Sequence, residues 1–474
     1  MIRVLAAHLF RADLQTRMPF KYGIATMTHV PHVFLRVTFE IDGRAQDGIA
    51  ADHLPPKWFT KDPARDPADE ITEMLRVIKE AMHNAESIVA PTVFGFWREL
   101  YARQASWAVA NQLPPLLAHF GTSLVERSAI DAFARSRAMP LHRLLHDGAL
   151  GVELGIIHPE LAGSETRDWL PAEPLPKVFA RHTVGLADPL TAADLAPDSK
   201  LDDGLPQTLE DCIRVYGLRH FKVKIDGRAE ADQERLDRLA ALFAQHAPTN
   251  YACSLDGNES FYSLTAFREY WRELTLRPSL KEFMRHLLFV EQPFHRSVAL
   301  EPALGALAHD WSERPPIIID ESDAELGSLS SALRLGYAGT SHKNCKGIFK
   351  GVANACRLQQ LRREQPGGRW MMSGEDLSNV GPVALLQDLA VQALLGISSV
   401  ERNGHHYFAG VSFWPADWQT ALMEQHGDLY RRGGRGWPQV DVRDGELDLG
   451  SVNAAPFGVN FLPDLSGLGR ACST

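Results

Sequence analysis

Between Pro176 and about Trp414, short apolar runs alternate with helical patterns, and nothing else in the 474-residue chain restricts the fold as much. The runs are Val178–Val184, Phe221–Ile225, Tyr251–Leu255, Leu287–Val290, Pro316–Ile319, Ala338–His342, Trp370–Ser373 and Ile397–Val400. Apolar residues at helical spacing fill Asp232–Ala244, Val298–Ala308, Ala324–Leu335, Ile348–Arg363 and Pro382–Leu395, while Leu264–His286 is broken by Pro278 and reads as an enlarged connection. Strands joined through a helix are parallel neighbours, because a parallel pair needs a long crossover. Eight such units favour a closed (β/α)8 barrel over an open sheet. A dinucleotide-binding open sheet is excluded further, since no Gly-x-Gly-x-x-Gly follows any candidate strand.

The flanking residues have another texture. Val33–Ile41 reads as an antiparallel strand closed by the turn Asp42-Gly43. Phe20–Ala25 and Asp52–Trp58 read as loops with aromatic anchors. Asp66-Pro67 opens a helix with Ile71, Met74, Leu75, Ile78 and Met82 on one face, and a second helix spans about Ser123 to Arg137. Gln439–Leu447 reads as a hairpin. The expected division is an α+β domain over residues 1–175, the barrel over 176–413, and a segment over 414–474 that returns to the first domain.

Charge and cysteine usage narrow the function classes. The net charge is −10 with no long basic run, which argues against nucleic acid or an anionic membrane as partner. No run approaches the roughly 18 apolar residues of a membrane span, and the first residues lack the apolar core of a signal peptide. Cys212, Cys253, Cys345, Cys356 and Cys472 are scattered without a Cys-x-x-Cys, as expected of reduced thiols in a cytoplasmic protein and not of a zinc site or disulfide frame.

The C-terminal rim carries the chemistry of a barrel, and here the strand ends repeat charged residues. Lys222 and Lys224 share one face of the second strand. Asp256 ends the third strand, Glu291 the fourth, Asp320 the fifth and Lys343 the sixth, each about one strand–helix unit after the last. Three converging carboxylates repel and need a cation, and hard oxygen donors suit Mg²⁺. Two ammonium groups on one strand face repel each other and lose hydration, which is expected to lower their pKa and favour a neutral amine. Lysines on both sides of a metal-bound carboxylate could remove an α-proton, leave a metal-stabilised enolate, and return a proton from the other face.

Lys222-Val223-Lys224 with Asp256, Glu291 and Asp320, preceded by Leu124–Phe133 and Pro140–Leu145, resembles the mandelate racemase/muconate lactonizing enzyme group of the enolase superfamily. The resemblance implies Mg²⁺ held by Asp256, Glu291 and Asp320. It implies Lys224 and Lys343 as the acid/base pair, with Lys222 tuning Lys224 or contacting the substrate carboxylate. It implies an α+β capping domain built from both termini, whose loops Phe20–Ala25 and Ala51–Trp58 close over the site. Phe20, Tyr22, His53, Glu375 and His405 are the expected substrate contacts, with a helix-capping role as the alternative for Glu375. Where two-lysine relatives usually carry Lys-x-Gly-Gly, this chain has Lys343-Asn344-Cys345-Lys346-Gly347, so Lys346 competes with Lys343. The His405-His406 pair is assigned to the substrate side or a solvent loop, since no third soft ligand accompanies it. Racemisation or epimerisation of a small carboxylate by a homo-oligomeric isomerase is the leading expectation. Dehydratase, other lyase or cycloisomerase chemistry, for example on a sugar acid, and a non-catalytic binding role are the alternatives.

Overall fold

The computed structural model describes residues 1–305, 307, 311 and 313–473. The thiol of Cys472 and the end of the helix expected at Ala308 lie outside the described residues.

The chain begins with a long antiparallel sheet. Strands β1 (Ile2–Tyr22), β2 (Ala25–Ile41) and β3 (Arg44–His53) run up and down, β1 and β2 pairing from Ile2↔Ile41 to Tyr22↔Ala25. The segment expected as the loop Phe20–Ala25 is therefore the tip of a hairpin, turned at Gly23. Asp42-Gly43 turns the chain as expected: both residues have positive φ, 50° and 81°, the geometry of a two-residue hairpin turn matched to strand twist. A short strand β4 (Val89–Ala90) pairs with the start of β1.

Helices α1 (Pro67–Glu86), α2 (Val93–Ala110) and α3 (Pro115–Arg137) cover this sheet. Asp66 caps α1, its side chain accepting from the backbone N–H of Ala68. α3 begins earlier than its apolar pattern indicated and is buried along most of its length. Two glycines allow that burial. A Cβ on Gly48 would lie 2.0 Å from the Ser128 carbonyl oxygen of α3, and one on Gly121 would lie 2.2 Å from the Val77 carbonyl oxygen of α1. α3 also reaches the barrel: Glu126 Oε1 accepts from the backbone N–H of Phe349 at 2.7 Å, at the start of helix Ile348–Glu364.

The barrel strands are β5 (Lys177–Val184), β6 (His220–Lys224), β7 (Ala252–Asp256), β8 (Leu287–Glu291), β9 (Ile317–Ile319), β10 (Gly339–His342), β11 (Met371–Gly374) and β12 (Ser399–Arg402). They are parallel and follow one another in sequence order. β12 pairs back with β5, Ser399↔Phe179 to Arg402↔His182, and closes the ring. The fold is thus a closed eight-stranded (β/α)8-type barrel with an α+β domain against it.

The C-terminal segment touches both parts. β13 (Tyr430–Arg432) pairs with β14 (Pro438–Val440). β15 (Glu446–Asp448) runs antiparallel on β5, and β16 (Gly469–Ser473) runs antiparallel on β1. The expected hairpin Gln439–Leu447 keeps its turn, Arg443 bridging antiparallel to Glu446, while its two arms lie in different sheets. The turn Asp444-Gly445 sits against the end of helix Leu209–Tyr216, with the Gly445 N–H donating to the Tyr216 carbonyl at 2.8 Å, and this seats Leu447 in the core.

Candidate active site

Parallel register aligns the charged strand ends. Lys224 is the Cα partner of Asp256, and Asp256 of Glu291. Asp320 follows β9, Lys343 follows β10, Glu375 follows β11, and Glu401 lies within β12. All are buried except Lys224, which is half-buried.

Lys222 is the hub. Its Nζ lies 3.0 Å from Asp256 Oδ2, 2.8 Å from Glu291 Oε1, 3.1 Å from Glu375 Oε2 and 2.9 Å from Glu401 Oε2. Glu291, Asp320 and Glu375 each place an oxygen within 4.8 Å of the other two. Glu291 Oε2 is buried without a hydrogen-bond partner among the described residues. Packed carboxylates with an orphaned oxygen are costly unless a cation joins them, and an all-oxygen donor set fits a hard divalent ion.

Of the expected metal trio, Glu291 and Asp320 belong to this tight cluster. Glu375 is the third member of that cluster, and Asp256 stands beside it, held by Lys222 and Lys224. Glu375 caps no helix: its oxygens face Lys222, the Ser373 hydroxyl at 2.9 Å, and Lys343 at 3.1 Å.

The two candidate lysines beyond β10 separate. Lys343 Nζ lies 2.6 Å from Asp320 Oδ2 and 4.6 Å from the centre of the Trp58 ring, and it lines the cavity above the carboxylates. Lys346 is turned behind Asp320, donating to Asp320 Oδ1 at 2.7 Å and Ser341 Oγ at 2.8 Å.

The lysine pKa values run opposite to expectation. Burial opposes the charge on Lys222, but its four carboxylates outweigh burial and hold the pKa well above the usual lysine value. Lys343 is held up in the same way by Asp320 and Glu375. For Lys224 burial and the charge of Lys222 do push downward, yet Asp256, with Glu401 and Glu291 behind it, outweighs them together and the pKa is raised. Burial, reinforced by the charge of Glu375, raises Glu291 well above the carboxylate range; Lys222 and Lys343 hold Glu375 well below it despite burial.

Both N-terminal segments close over this cavity. Phe20, Tyr22 and Met27 line it from the hairpin, and Pro55, Lys57 and Trp58 from the second segment. Tyr22 latches the two, its hydroxyl donating to the Pro56 carbonyl at 2.8 Å. Arg296 holds the second segment to the barrel through the Trp58 and Phe59 carbonyls at 3.1 and 2.9 Å. Phe20 stacks on Tyr407 with ring centres 4.1 Å apart.

Two expected substrate contacts are elsewhere. His53 is fully buried beside His32 and Phe408, with Nδ1 3.1 Å from the Leu377 carbonyl. The end of β3, from Gly48 to His53, is covered on both faces, and this places it in the core. His405 is half-buried and packs against Tyr216 and His182, outside the cavity. The assignment of His405-His406 to a solvent loop fails, as His406 is buried and His405, though half-buried, has both ring nitrogens enclosed. So does the absence of a third soft ligand, because His406 meets Cys212 and His182.

Sequence reasoning passed over Glu401, although it ends a strand like the other acids. It also missed Asn258, Lys61, Arg296 and Glu321, which line the cavity from loops just past the strands. Burial, with Asp320 beside it, pushes Glu321 up to about 8.

No protein-family model and no curated protein matches the chain. Solved structures do. A dipeptide epimerase from Enterococcus faecalis V583, complexed with Mg and L-Leu-L-Tyr, is 14% identical with a TM-score of 0.59, covering 96% of this chain and 99% of that one. A mandelate racemase/muconate lactonizing protein from Herpetosiphon aurantiacus is 17% identical with a TM-score of 0.58, over 97% and 99% of the two chains. A muconate lactonizing enzyme from Pseudomonas fluorescens, complexed with muconolactone, is 15% identical with a TM-score of 0.58, over 99% of both. The chain therefore has the fold of the mandelate racemase/muconate lactonizing enzymes of the enolase superfamily, barrel and capping domain together.

Proposed function

We propose that the chain is an Mg²⁺-dependent enzyme that removes the α-proton of a small carboxylate with lysine, and that it works as a racemase or epimerase. The observation that carries this reading is the opposition of Lys224 and Lys343 across the carboxylate cluster. They come from the second and just past the sixth strand of a closed ring of eight, and those strands are diametrically opposed. Amines on opposite sides of one carbon can take a proton from one face and return it to the other.

Glu291 and Asp320 would hold the cation, with Glu375 or Asp256 completing the set. When bound, Mg²⁺ would supply positive charge that offsets these carboxylates, so that they no longer hold the Lys224 and Lys343 pKa values up, and would stabilise the negative charge growing on the substrate carboxylate. Lys224 is oriented by Asp256 and by Asn258 Oδ1 at 3.0 Å, and Lys343 by Asp320 and the face of Trp58. Phe20, Tyr22 and Trp58 exclude water. The neighbours' bound dipeptide and muconolactone support a small carboxylic acid as substrate here, dipeptides and N-acyl amino acids first.

The test is incubation in D₂O with Mg²⁺ and a panel of dipeptides, N-acyl amino acids, 2-hydroxy acids and sugar acids, followed by proton NMR. Loss of an α-proton signal with formation of the epimer is expected. Exchange with loss of water or ring closure would move the assignment to a lyase or cycloisomerase. No exchange across the panel with Mg²⁺ bound would favour a binding role.

A further inference from the structure

A second donor cluster lies outside the barrel wall. On β5, Arg181 and Thr183 point into the barrel and reach Ser373 and Glu401. Alternation sends His182 outward, toward helix Leu209–Tyr216 and the short helix Gly404–Tyr407. There it meets Cys212 and His406. One donor atom from each of the three lies within 4.8 Å of the other two, and all three residues are buried. Cys212 Sγ is 3.5 Å from His406 Nδ1, and the His182 and His406 ring centres are 4.8 Å apart.

Two further observations point to a ligand. His182 Nδ1 is buried with no hydrogen-bond partner among the described residues. Among the described residues His405 has no hydrogen-bond partner at either ring nitrogen, and its ring centre is 5.6 Å from that of His182. Buried polar atoms are rarely left this way, and four orphaned or weakly paired soft donors in one place need an occupant. The nearby guanidinium of Arg17, which donates to the His406 carbonyl at 3.0 Å, is neutralised by Asp203 at 2.6 and 2.9 Å.

We propose that His182, Cys212 and His406 bind a thiophilic d¹⁰ cation, Zn²⁺ or Cu⁺, with His405 as the nearest further imidazole. Two imidazoles and a thiolate suit such ions and not the hard cation of the carboxylate cluster. On binding, the Cys212 thiol releases its proton to solvent and the sulfur forms the metal bond. The ion would tie β5 to both helices. Tyr407, next to His406, carries the Phe20 ring, so the same bond network braces the hairpin that lines the active cavity.

The experiment uses the full chain, stripped with a chelator and reloaded with Zn²⁺ or Cu⁺ alone, then desalted and assayed for metal. One tightly held equivalent is expected in the wild type and in Glu291→Gln, and affinity lower by about 100-fold or more in Cys212→Ser and His406→Gln. Competition between the two ions identifies the preferred one. Co²⁺ loaded into the wild type should give the intense absorption of a cobalt–thiolate bond, a readout that needs no variant. Equal retention by Cys212→Ser and wild type, or no thiolate absorption from the Co²⁺ form, would overturn the proposal.

Discussion

Replacing Lys222 by Met removes the one ammonium that four carboxylates share. Asp256, Glu291, Glu375 and Glu401 each lie within 3.1 Å of its Nζ and would be left buried without that charge. Removing one partner of a buried ion pair costs about 3–5 kcal/mol. Unfolding entropy of about 2.1 cal/mol/K per residue gives roughly 1 kcal/mol/K for the 474-residue chain, so Lys222→Met should lower Tm by about 3–5 °C in EDTA. Mg²⁺ reverses the sign. Two unit charges about 4 Å apart interact by about 4 kcal/mol at an effective dielectric of 20, so losing the ammonium strengthens divalent binding by about 1,000-fold. Saturating Mg²⁺ should therefore close the gap in Tm or invert it. Calorimetric scans of both proteins in EDTA and in Mg²⁺ are the assay. A gap that Mg²⁺ leaves unchanged would refute the claim that Lys222 and the cation answer the same negative charge.

Three shorter tests address the frame around the site. Gly48→Ala should destabilise by about 3 kcal/mol or more, or abolish soluble expression, because the added Cβ meets the Ser128 carbonyl at 2.0 Å and backbone must move; a stable variant in urea unfolding would contradict the packing of α3 on β3. Burial pushes Glu126 up to about 7 from the usual 4.5, so the folded state binds more protons than the unfolded state between those values, and its contribution falls as pH rises through that window. Glu126→Gln should thus gain stability relative to wild type from pH 5 to 7.5, and a pH-independent difference would count against it. Glu375→Gln should weaken Mg²⁺ binding in calorimetry more than Asp256→Asn does, since Glu375 and not Asp256 belongs to the tightest carboxylate group; the reverse order would restore Asp256 as the third ligand.

The barrel was legible because its strands are short, buried runs separated by helices with one apolar face, a pattern few other folds satisfy. The rim acids were legible because each follows its strand directly. What failed needed charges or contacts that only the closed ring supplies. Lys222 and Lys224 do share a face and do repel, but the carboxylates that reverse their pKa shifts come from strands far away in sequence. Glu375 looked like a capping residue until register put it beside Glu291. His53 looked exposed because polar residues near loops usually are, and here β3 is covered on both faces from Gly48 to His53; the packing of helix Gly404–Tyr407 encloses the ring nitrogens of His405. Cys212 gave no metal signal because His182 and His406 reach it only across the barrel closure.

The most direct test of the account follows α-proton exchange in D₂O with Mg²⁺ for each epimer of a substrate, in the wild type, Lys224→Ala and Lys343→Ala. The wild type should exchange both epimers. Each variant should lose exchange from one epimer, a different one in the two variants, while keeping its fold and its Mg²⁺. Full exchange of both epimers in both variants would show that these lysines are not the bases.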